Sequence, residues 1–293
     1  MRQLEIERKF DIPEGAPLPG LGDVVQTGAA REHRMRAVYL DTVDLLLIRH
    51  RITLRRREGG SDEGWHLKLP RGSARLEVHA PLGEGPGRTR VPDGHVKAVS
   101  EALAEGLPSG PAGALVPVAV LRTVRVEVDL LDDDGRLVAQ LCDDVVTALP
   151  QGITWRELEV ELVGAAEGQE AMGTTAGGEA ADDSVQLLDS IAAALQAQGL
   201  TPSASPSKLS RALGDRPERM QAGQRLGAKD RAGDVVQDYL VEQLLVILGR
   251  EGDLRVDALD AVHKSRVAVR RTRSAVRTFR RLLHREGTAP VRV

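Results

Sequence analysis

The tightest constraint on this chain is a strict alternation of charged and apolar residues in short runs. In Leu4-Glu5-Ile6-Glu7-Arg8-Lys9-Phe10, the charged Glu5, Glu7 and Lys9 recur at every second position, and Leu4, Ile6 and Phe10 fall on the opposite parity. A period of two puts residues i, i+2 and i+4 on one face of a β-strand. The run from Trp155 to Leu162 repeats the pattern, with Glu157, Glu159 and Glu161 opposite Leu158, Val160 and Leu162. Further strand-like runs fall at residues 51–57, 64–69, 75–80, 123–131 and 137–143, with turn signals such as Glu58-Gly59-Gly60-Ser61 and Asp132-Asp133-Asp134-Gly135 between them. The prediction is an antiparallel β-rich unit over residues 2–162.

Each run gathers its charges on one side. Arg51, Arg55 and Arg57 share a face; His66 and Lys68 oppose Trp65, Leu67 and Leu69; Arg75 and Glu77 oppose Leu76 and Val78; Arg125, Glu127 and Asp129 oppose Val124, Val126 and Val128. An open sheet with one wet face accounts for alternation as well as a closed one does. Two features favour closure. Glu is concentrated on the first and last strands and Arg and Lys on the middle ones, and seven or eight strands can close into a barrel with a polar interior. Carboxylates bind Mg²⁺ or Mn²⁺, and Arg and Lys hold phosphate oxygens by charge-assisted hydrogen bonds. A bore lined by both suits a metal-chelated polyanion.

Of the 293 residues, 41% are hydrophobic and 28% charged, a globular balance. Aromatics, at 2%, leave the core to aliphatic residues and offer no platform for stacking bases. The single cysteine, Cys142, rules out an internal disulfide. The opening residues are charged where a secretion signal would be apolar, and the best apolar run, residues 244–248, is far too short to span a bilayer. A cytoplasmic protein without a membrane partner is expected. The net charge of −3 hides an asymmetry: from Leu254 onward 11 Lys and Arg face 3 Asp and Glu, a local +8, which leaves −11 for residues 1–253. Opposed halves predict two functional units, the second with an anionic partner.

Residues 93–107 read as a helix, 164–184 as a loop, 185–198 as an amphipathic helix and 214–233 as a linker. Helical patterns at 235–248 and 258–285 close the chain. In the last, Val262, Val269, Val276 and Leu283 recur every seven residues, as do Ala261, Ala268, Ala275 and Leu282. His263, Arg270, Arg277 and His284, interleaved with Arg266, Arg273 and Arg280, make a basic face with few acids to pair it. The predicted organisation is a barrel domain over 1–213, a linker over 214–233 and a helical domain over 234–293.

Several segments, in order, resemble the motif series of the CYTH superfamily, the triphosphate tunnel metalloenzymes. They are Glu5-Ile6-Glu7-Arg8-Lys9, Tyr39-Leu40-Asp41-Thr42, Thr53-Leu54-Arg55-Arg56-Arg57, Gly64-Trp65-His66-Leu67-Lys68-Leu69-Pro70, Arg75-Leu76-Glu77, Leu121-Arg122-Thr123-Val124-Arg125, Cys142-Asp143-Asp144-Val145, Glu157-Leu158-Glu159-Val160-Glu161-Leu162 and Ser207-Lys208. The resemblance implies an α+β protein, an eight-stranded antiparallel β-barrel tunnel with flanking helices. Such a tunnel binds a triphosphate end-on and cleaves a phosphoanhydride with Mg²⁺ or Mn²⁺. It makes Glu5, Glu7, Asp144, Glu159 and Glu161 metal-ligand candidates. Lys9, Arg55, Arg57, Lys68, Arg122, Arg125 and Lys208 become phosphate-binding candidates, and Glu5, Glu7, Lys9, Glu159 and Glu161 the expected catalytic set. Glu157 is expected at the barrel mouth, and Arg8 and Arg56 on the outer face. The chain departs from the family at Gln140, where a Glu is usual; an amide brings hydrogen bonds but no charge.

The segment Val262-His263-Lys264-Ser265-Arg266-Val267-Ala268-Val269-Arg270-Arg271-Thr272-Arg273 resembles the start of a CHAD domain, an all-helical module associated with polyphosphate binding. That resemblance makes His263, Arg266, Arg270, Arg273 and Arg277 polyphosphate-binding candidates. CHAD domains are longer than the chain that remains, and a lone helical pair is expected to be marginal. Inorganic triphosphatase is the favoured function. Thiamine-triphosphate hydrolysis, cyclisation of ATP to cyclic AMP and non-catalytic polyphosphate binding stay open. Nucleic acid is disfavoured, since no base-reading motif accompanies the arginines. Nothing in the sequence sets the oligomeric state.

Overall fold

In a computed structural model the described residues are 1–72, 74–163, 175–217, 229–255, 258, 260–284 and 288. The sheet closes on itself because its first strand is broken in two. β1 (Arg2–Glu5) and β2 (Glu7–Asp11) are separated only by Ile6. From β1 the ladder runs through β6 (Ala74–Ala80), β5 (Gly64–Arg71), β4 (Thr53–Glu58), β3 (Gln26–Asp41), β7 (Val116–Leu131), β8 (Leu137–Leu149) and β9 (Ile153–Leu162), and returns to β2. Every pairing is antiparallel. With β1 and β2 taken as one kinked strand, eight strands encircle the bore. At the break, the Leu162 amide donates to the Ile6 carbonyl at 3.1 Å. The two-residue β10 (Thr201–Pro202) adds to β2.

Alternation sends the apolar parity outward, where helices cover it. α2 (Asp93–Ala102) lays Ala98 and Val99 over Ile52, Leu54, Trp65 and Leu67. α3 (Thr175–Ala197) lays Leu188, Ile191 and Leu195 over Phe10, Leu158 and Val160, and its Asp189 takes the outward-facing Arg8 at 2.6 Å. The short α1 (Leu46–Arg49) is held by buried Asp41, whose carboxylate accepts from the Thr42 amide at 2.7 Å, Leu47 at 2.8 Å and Ile48 at 3.0 Å.

One helix goes inside. α4 (Lys208–Leu213) is capped by Ser207, whose Oγ accepts from the Ser210 amide at 3.0 Å. Its Leu209, Ala212 and Leu213 pack against the inward-facing Ala37, Tyr39, Leu121, Val146 and Trp155. One end of the cylinder is thereby filled with apolar side chains, and the polar half is left as a blind tunnel.

The C-terminal helices α5 (Ala232–Gly249), α6 (Glu251–Arg255) and α7 (Ala261–Thr278) pack on the outer wall through α5 and β7. Buried Arg56 faces outward, as expected; it donates to the Gly249 carbonyl and pairs with Asp253, both at 3.4 Å. Arg36 donates to the Leu248 carbonyl. α7 buries Ala261, Ser265, Ala268, Thr272, Ala275 and Val276, so the alanine row is its main packing face; of the other heptad row Val276 is buried, whereas Val262 and Val269 are exposed.

Three sequence expectations change. β3 was not predicted, because its first half, including Arg31, Glu32 and Arg34, is exposed and carries no alternation. α3 begins at Thr175, inside the segment read as a loop, while residues 164–174 lie outside the described residues, as do 218–228 of the predicted linker. The predicted helix at 258–285 shortens to α7, and α6 precedes it. Among the described residues no helix is long and apolar enough to cross a membrane.

Candidate active site

The unplugged half of the bore encloses a cavity of about 240 Å³, at the small end of ligand pockets. Every strand of the barrel contributes inward side chains to its walls: Glu5 from β1, Glu7 and Lys9 from β2, Tyr39 from β3, Arg55 and Arg57 from β4, Lys68 from β5, Glu77 from β6, Arg125 from β7, Gln140 from β8, and Glu159 and Glu161 from β9. Lys208 enters from α4. The sequence-predicted catalytic set therefore converges in one place.

The acids form two groups. Oxygens of Glu5, Glu77 and Glu161 lie within 4.8 Å of one another, and so do oxygens of Asp144, Glu157 and Glu159. The second group, on the tunnel floor, already holds cations. Lys208 reaches Asp144 at 2.9 Å, Glu157 at 2.7 Å and Glu159 at 2.6 Å, while Arg125 reaches Asp144 at 2.6 Å and Glu159 at 2.9 Å. Burial would raise the Asp144 and Glu159 carboxyls, but Lys208 and Arg125, with Lys9 on Glu159, outweigh it and hold both below the usual carboxylate range.

In the first group burial would raise the Glu77 carboxyl, but Lys68, His66 and Arg55 outweigh it and hold that carboxyl low; the other two acids are less compensated. Glu5 pairs with Lys68, yet its Oε2 is buried without a hydrogen-bond partner. Burial, reinforced by Glu7 and Glu77, raises the Glu5 carboxyl despite Lys68. Burial and the neighbouring Glu5 push Glu161 up to about 7. Oxygen-only donors with an unsatisfied buried oxygen fit a hard divalent cation such as Mg²⁺ or Mn²⁺. Beside the group, Glu7 takes Lys9 at 2.9 Å, and burial is outweighed by Lys9 and Lys68, so that carboxyl is lowered.

The basic side chains are held in place from behind. Arg55 donates to the Tyr39 hydroxyl at 3.2 Å. His66 meets Glu77 at 2.7 Å through Nδ1 and the Asp62 carbonyl at 2.9 Å through Nε2. Burial, together with Arg55 and Arg57, lowers His66 to about 3; the neutral ring carries one N–H and donates to only one of these two oxygens.

Several expectations are corrected. Arg122 points away from the bore: it is exposed on the outer wall and lines a surface cleft with Arg36 and Glu251. A regular strand cannot turn Arg122 and Arg125, three residues apart, to the same side. Glu157 lies on the floor rather than at the mouth, 2% exposed, and its carboxylate accepts from the Trp155 indole at 2.5 Å. Gln140 lines the bore and donates to Glu127 at 3.3 Å and Asp129 at 3.2 Å. Glu77, His66 and Tyr39 belong to the site and were not singled out; parity with Lys68 and Arg75 was the available signal for the first two. His263, Arg266, Arg270, Arg273 and Arg277 are not brought to the tunnel but line a separate groove along α7 with Val262 and Val269.

The comparisons with known proteins follow this division. The CYTH domain matches residues 3–182 and the CHAD domain residues 238–293. Two uncharacterised Mycobacterium tuberculosis proteins, from the Oshkosh and H37Rv strains, are each 36% identical over 291 residues, which is 93% of this chain and 52% of theirs. The chain thus spans about half the length of the curated relatives it matches. Among solved structures, a candidate adenylate cyclase of Bacillus halodurans shares 20% identity over 72% of this chain and 97% of its own, with a TM-score of 0.39. The PH1819 protein of Pyrococcus horikoshii shares 14% over 71% and 98%, also at 0.39. With the family match covering more than half of the chain and its acidic and basic residues converging in one closed bore, the chain belongs to the CYTH domain family, followed by a CHAD-domain segment.

Proposed function

We propose that this chain hydrolyses triphosphates with a divalent metal, inorganic tripolyphosphate first among them. The observation that carries the reading is the bore itself, where a carboxylate group with an unsatisfied oxygen faces a wall of buried cations in a closed tunnel. Glu5, Glu77 and Glu161 would hold Mg²⁺ or Mn²⁺, with Glu7 adjacent. The metal supplies charge neutralisation on phosphate oxygens when bound. Asp144 and Glu159, expected as metal ligands and part of a second acid group that could hold a cation, in this reading fix Lys208 and Arg125, which donate to phosphate. Lys9, Arg55, Arg57 and Lys68 complete the set and orient the chain of phosphates.

Phosphoryl transfer needs positioning and electrostatic stabilisation more than covalent chemistry from the protein. Donors fixed on the walls of a closed bore provide both without reorganising. The domain division at 1–213, 214–233 and 234–293, and a polyphosphate-binding face of His263, Arg266, Arg270, Arg273 and Arg277 on α7, are part of the same proposal.

The test is phosphate release from tripolyphosphate, ATP, thiamine triphosphate and long-chain polyphosphate with Mg²⁺ or Mn²⁺, each against a chelator control. Fastest release from tripolyphosphate supports the reading. Cyclic AMP from ATP, or preference for thiamine triphosphate, would reassign the substrate. Binding without release under either metal would leave a receptor rather than an enzyme.

A further inference from the structure

The turn between β4 and β5 brings an acid to the tunnel that no strand supplies. Gly59 and Gly60 adopt left-handed φ of 79° and 86°, and a Cβ on Gly59 would lie 2.3 Å from the Arg34 carbonyl oxygen, so this turn requires glycine there. The loop is pinned at three points. The Gly59 amide donates to Glu63 at 2.9 Å, Glu63 takes Arg88 at 3.0 Å, and the Asp62 carbonyl meets His66. Asp62 is thereby aimed into the cavity, where its carboxylate forms an ion pair with Arg57 Nη2, which makes no hydrogen bond.

The partners of the neighbouring arginines are different in kind. Arg55 is held by Tyr39 and Arg125 by Asp144 and Glu159, all on barrel strands and largely buried. Asp62 is on a loop, and its side chain is 54% exposed while that of Arg57 is 5% exposed. A carboxylate and a phosphate present the same anionic oxygens to a guanidinium, and an ion pair with one member in solvent is weak enough to exchange.

We propose that Asp62 is a specificity-determining residue of the tunnel: its carboxylate occupies Arg57 in place of a phosphate group, so that only a polyanion reaching Arg57 and outcompeting Asp62 is bound there. This rests on the reading of the tunnel as a triphosphate site. It makes Asp62 an internal competitor, one that favours multiply charged phosphate chains over single anions such as inorganic phosphate.

The experiment compares the full chain with Asp62→Asn and Asp62→Glu. Half-saturation is read from the rise in melting temperature on adding tripolyphosphate or inorganic phosphate, in EDTA and again in Mg²⁺. Asp62→Asn is expected to bind inorganic phosphate about two- to fivefold more tightly, the scale of an exposed ion pair, and tripolyphosphate by a smaller factor, so that the preference between them narrows. The gain should shrink at high ionic strength, and Asp62→Glu should stay near wild type. If wild type binds tripolyphosphate and Asp62→Asn gains no more for inorganic phosphate than for tripolyphosphate, the specificity role is wrong and the triphosphate reading survives. If neither wild type nor Asp62→Asn binds tripolyphosphate in either condition, the reading of the tunnel fails and the inference with it. Asp62 is half exposed and the turn glycines are untouched, so both variants are expected to fold, and the unliganded melting temperature checks this.

Discussion

Lys9 and Glu159 stand directly opposite each other in the β2–β9 ladder, and the Lys9 ammonium rests on the Glu159 carboxylate. Lys208 and Arg125 hold the same carboxylate at 2.6 and 2.9 Å. Glu159 is therefore the hub that spaces three cationic side chains across the tunnel floor. Glu159→Gln keeps the shape and removes the charge. It is expected to lower kcat for tripolyphosphate by about a hundredfold or more, the scale of losing a preorganised electrostatic group. It should also destabilise the fold by about 3 kcal/mol, because the cations it leaves behind are buried. Phosphate release and thermal melting measure the two effects separately. A folded variant with near-normal kcat removes Glu159 from the machinery.

Arg122 and Arg125 share a motif but not a wall. Arg122→Ala, on the outer surface, should leave turnover within about twofold, as surface changes away from a site usually do. Arg125→Ala strips a donor from Asp144 and Glu159 and should cost about a hundredfold in kcat/KM. Parallel kinetics decide the matter. Equal losses would mean that Arg122 acts from the outer cleft, contrary to its placement.

These two arginines mark the limit of what the sequence disclosed. Alternation identified the charged faces that line the bore, because inward and outward parities differ sharply in charge at Glu5, Arg55, Lys68 and Glu159, while closure rested on the segregation of acids and bases and on the resemblance. The family motif then nominated Arg122 against its own parity, and the structure follows the parity. Positions where both faces are wet were illegible: β3 runs past the rim at Arg31 to Arg34, so no alternation survives. The closure at Ile6 is one residue of broken pairing with no compositional mark. The plug was equally obscure, since Leu209 and Leu213 read as any short helix face. Asp41, part of the recognised motif series, is structural, tied to the α1 amides rather than to the bore.

The two carboxylate groups make opposite predictions. Glu77 belongs to the group in which Glu5 Oε2 has neither a hydrogen bond nor a cation on it; Glu157 Oε1 also makes no hydrogen bond, but the Lys208 ammonium rests on it at 2.7 Å. Glu77→Gln should weaken the Mn²⁺ response about ten- to hundredfold, whereas Glu157→Gln should retain metal binding and lose stability through Lys208 and Trp155. Titration of the melting temperature with Mn²⁺ separates the two. A reversed result would move the metal to the floor.

Asp41 carries a pH dependence with a definite sign. Burial raises its carboxyl to about 6, from 3.8, even though three backbone amides donate to it. A carboxyl with a raised folded-state pKa contributes stability that is full below the unfolded value and lost as pH rises through the folded one. Between about pH 4 and pH 6 wild type should therefore lose melting temperature relative to Asp41→Asn, whose amide does not titrate. The difference between the two proteins isolates this group from the depressed carboxyls on the tunnel floor. A gap that moves the other way would show that the amide donors outweigh burial.

Two glycines bring the C-terminal helices close to the barrel, Gly249 at the end of α5 and Gly252 in α6, and they are not equivalent. A Cβ at Gly252 would meet Arg56 Nη2 at 2.6 Å and Glu58 Oε1 at 2.7 Å, the far ends of flexible side chains that can swing aside. A Cβ at Gly249 would meet the Pro117 ring at 2.5 Å, and that ring is fixed on β7 and has nowhere to go. Overpacking of this kind costs about 1–3 kcal/mol. Gly249→Val should therefore loosen α5 from the wall and expose residues 232–278 to protease, while Gly252→Ala leaves the digestion pattern unchanged. Phosphate release should persist in both, because no residue of α5 lines the tunnel. Loss of turnover in Gly249→Val would mean that the helical segment supports the bore through β7, and the two units would then have to be treated as one catalytic body.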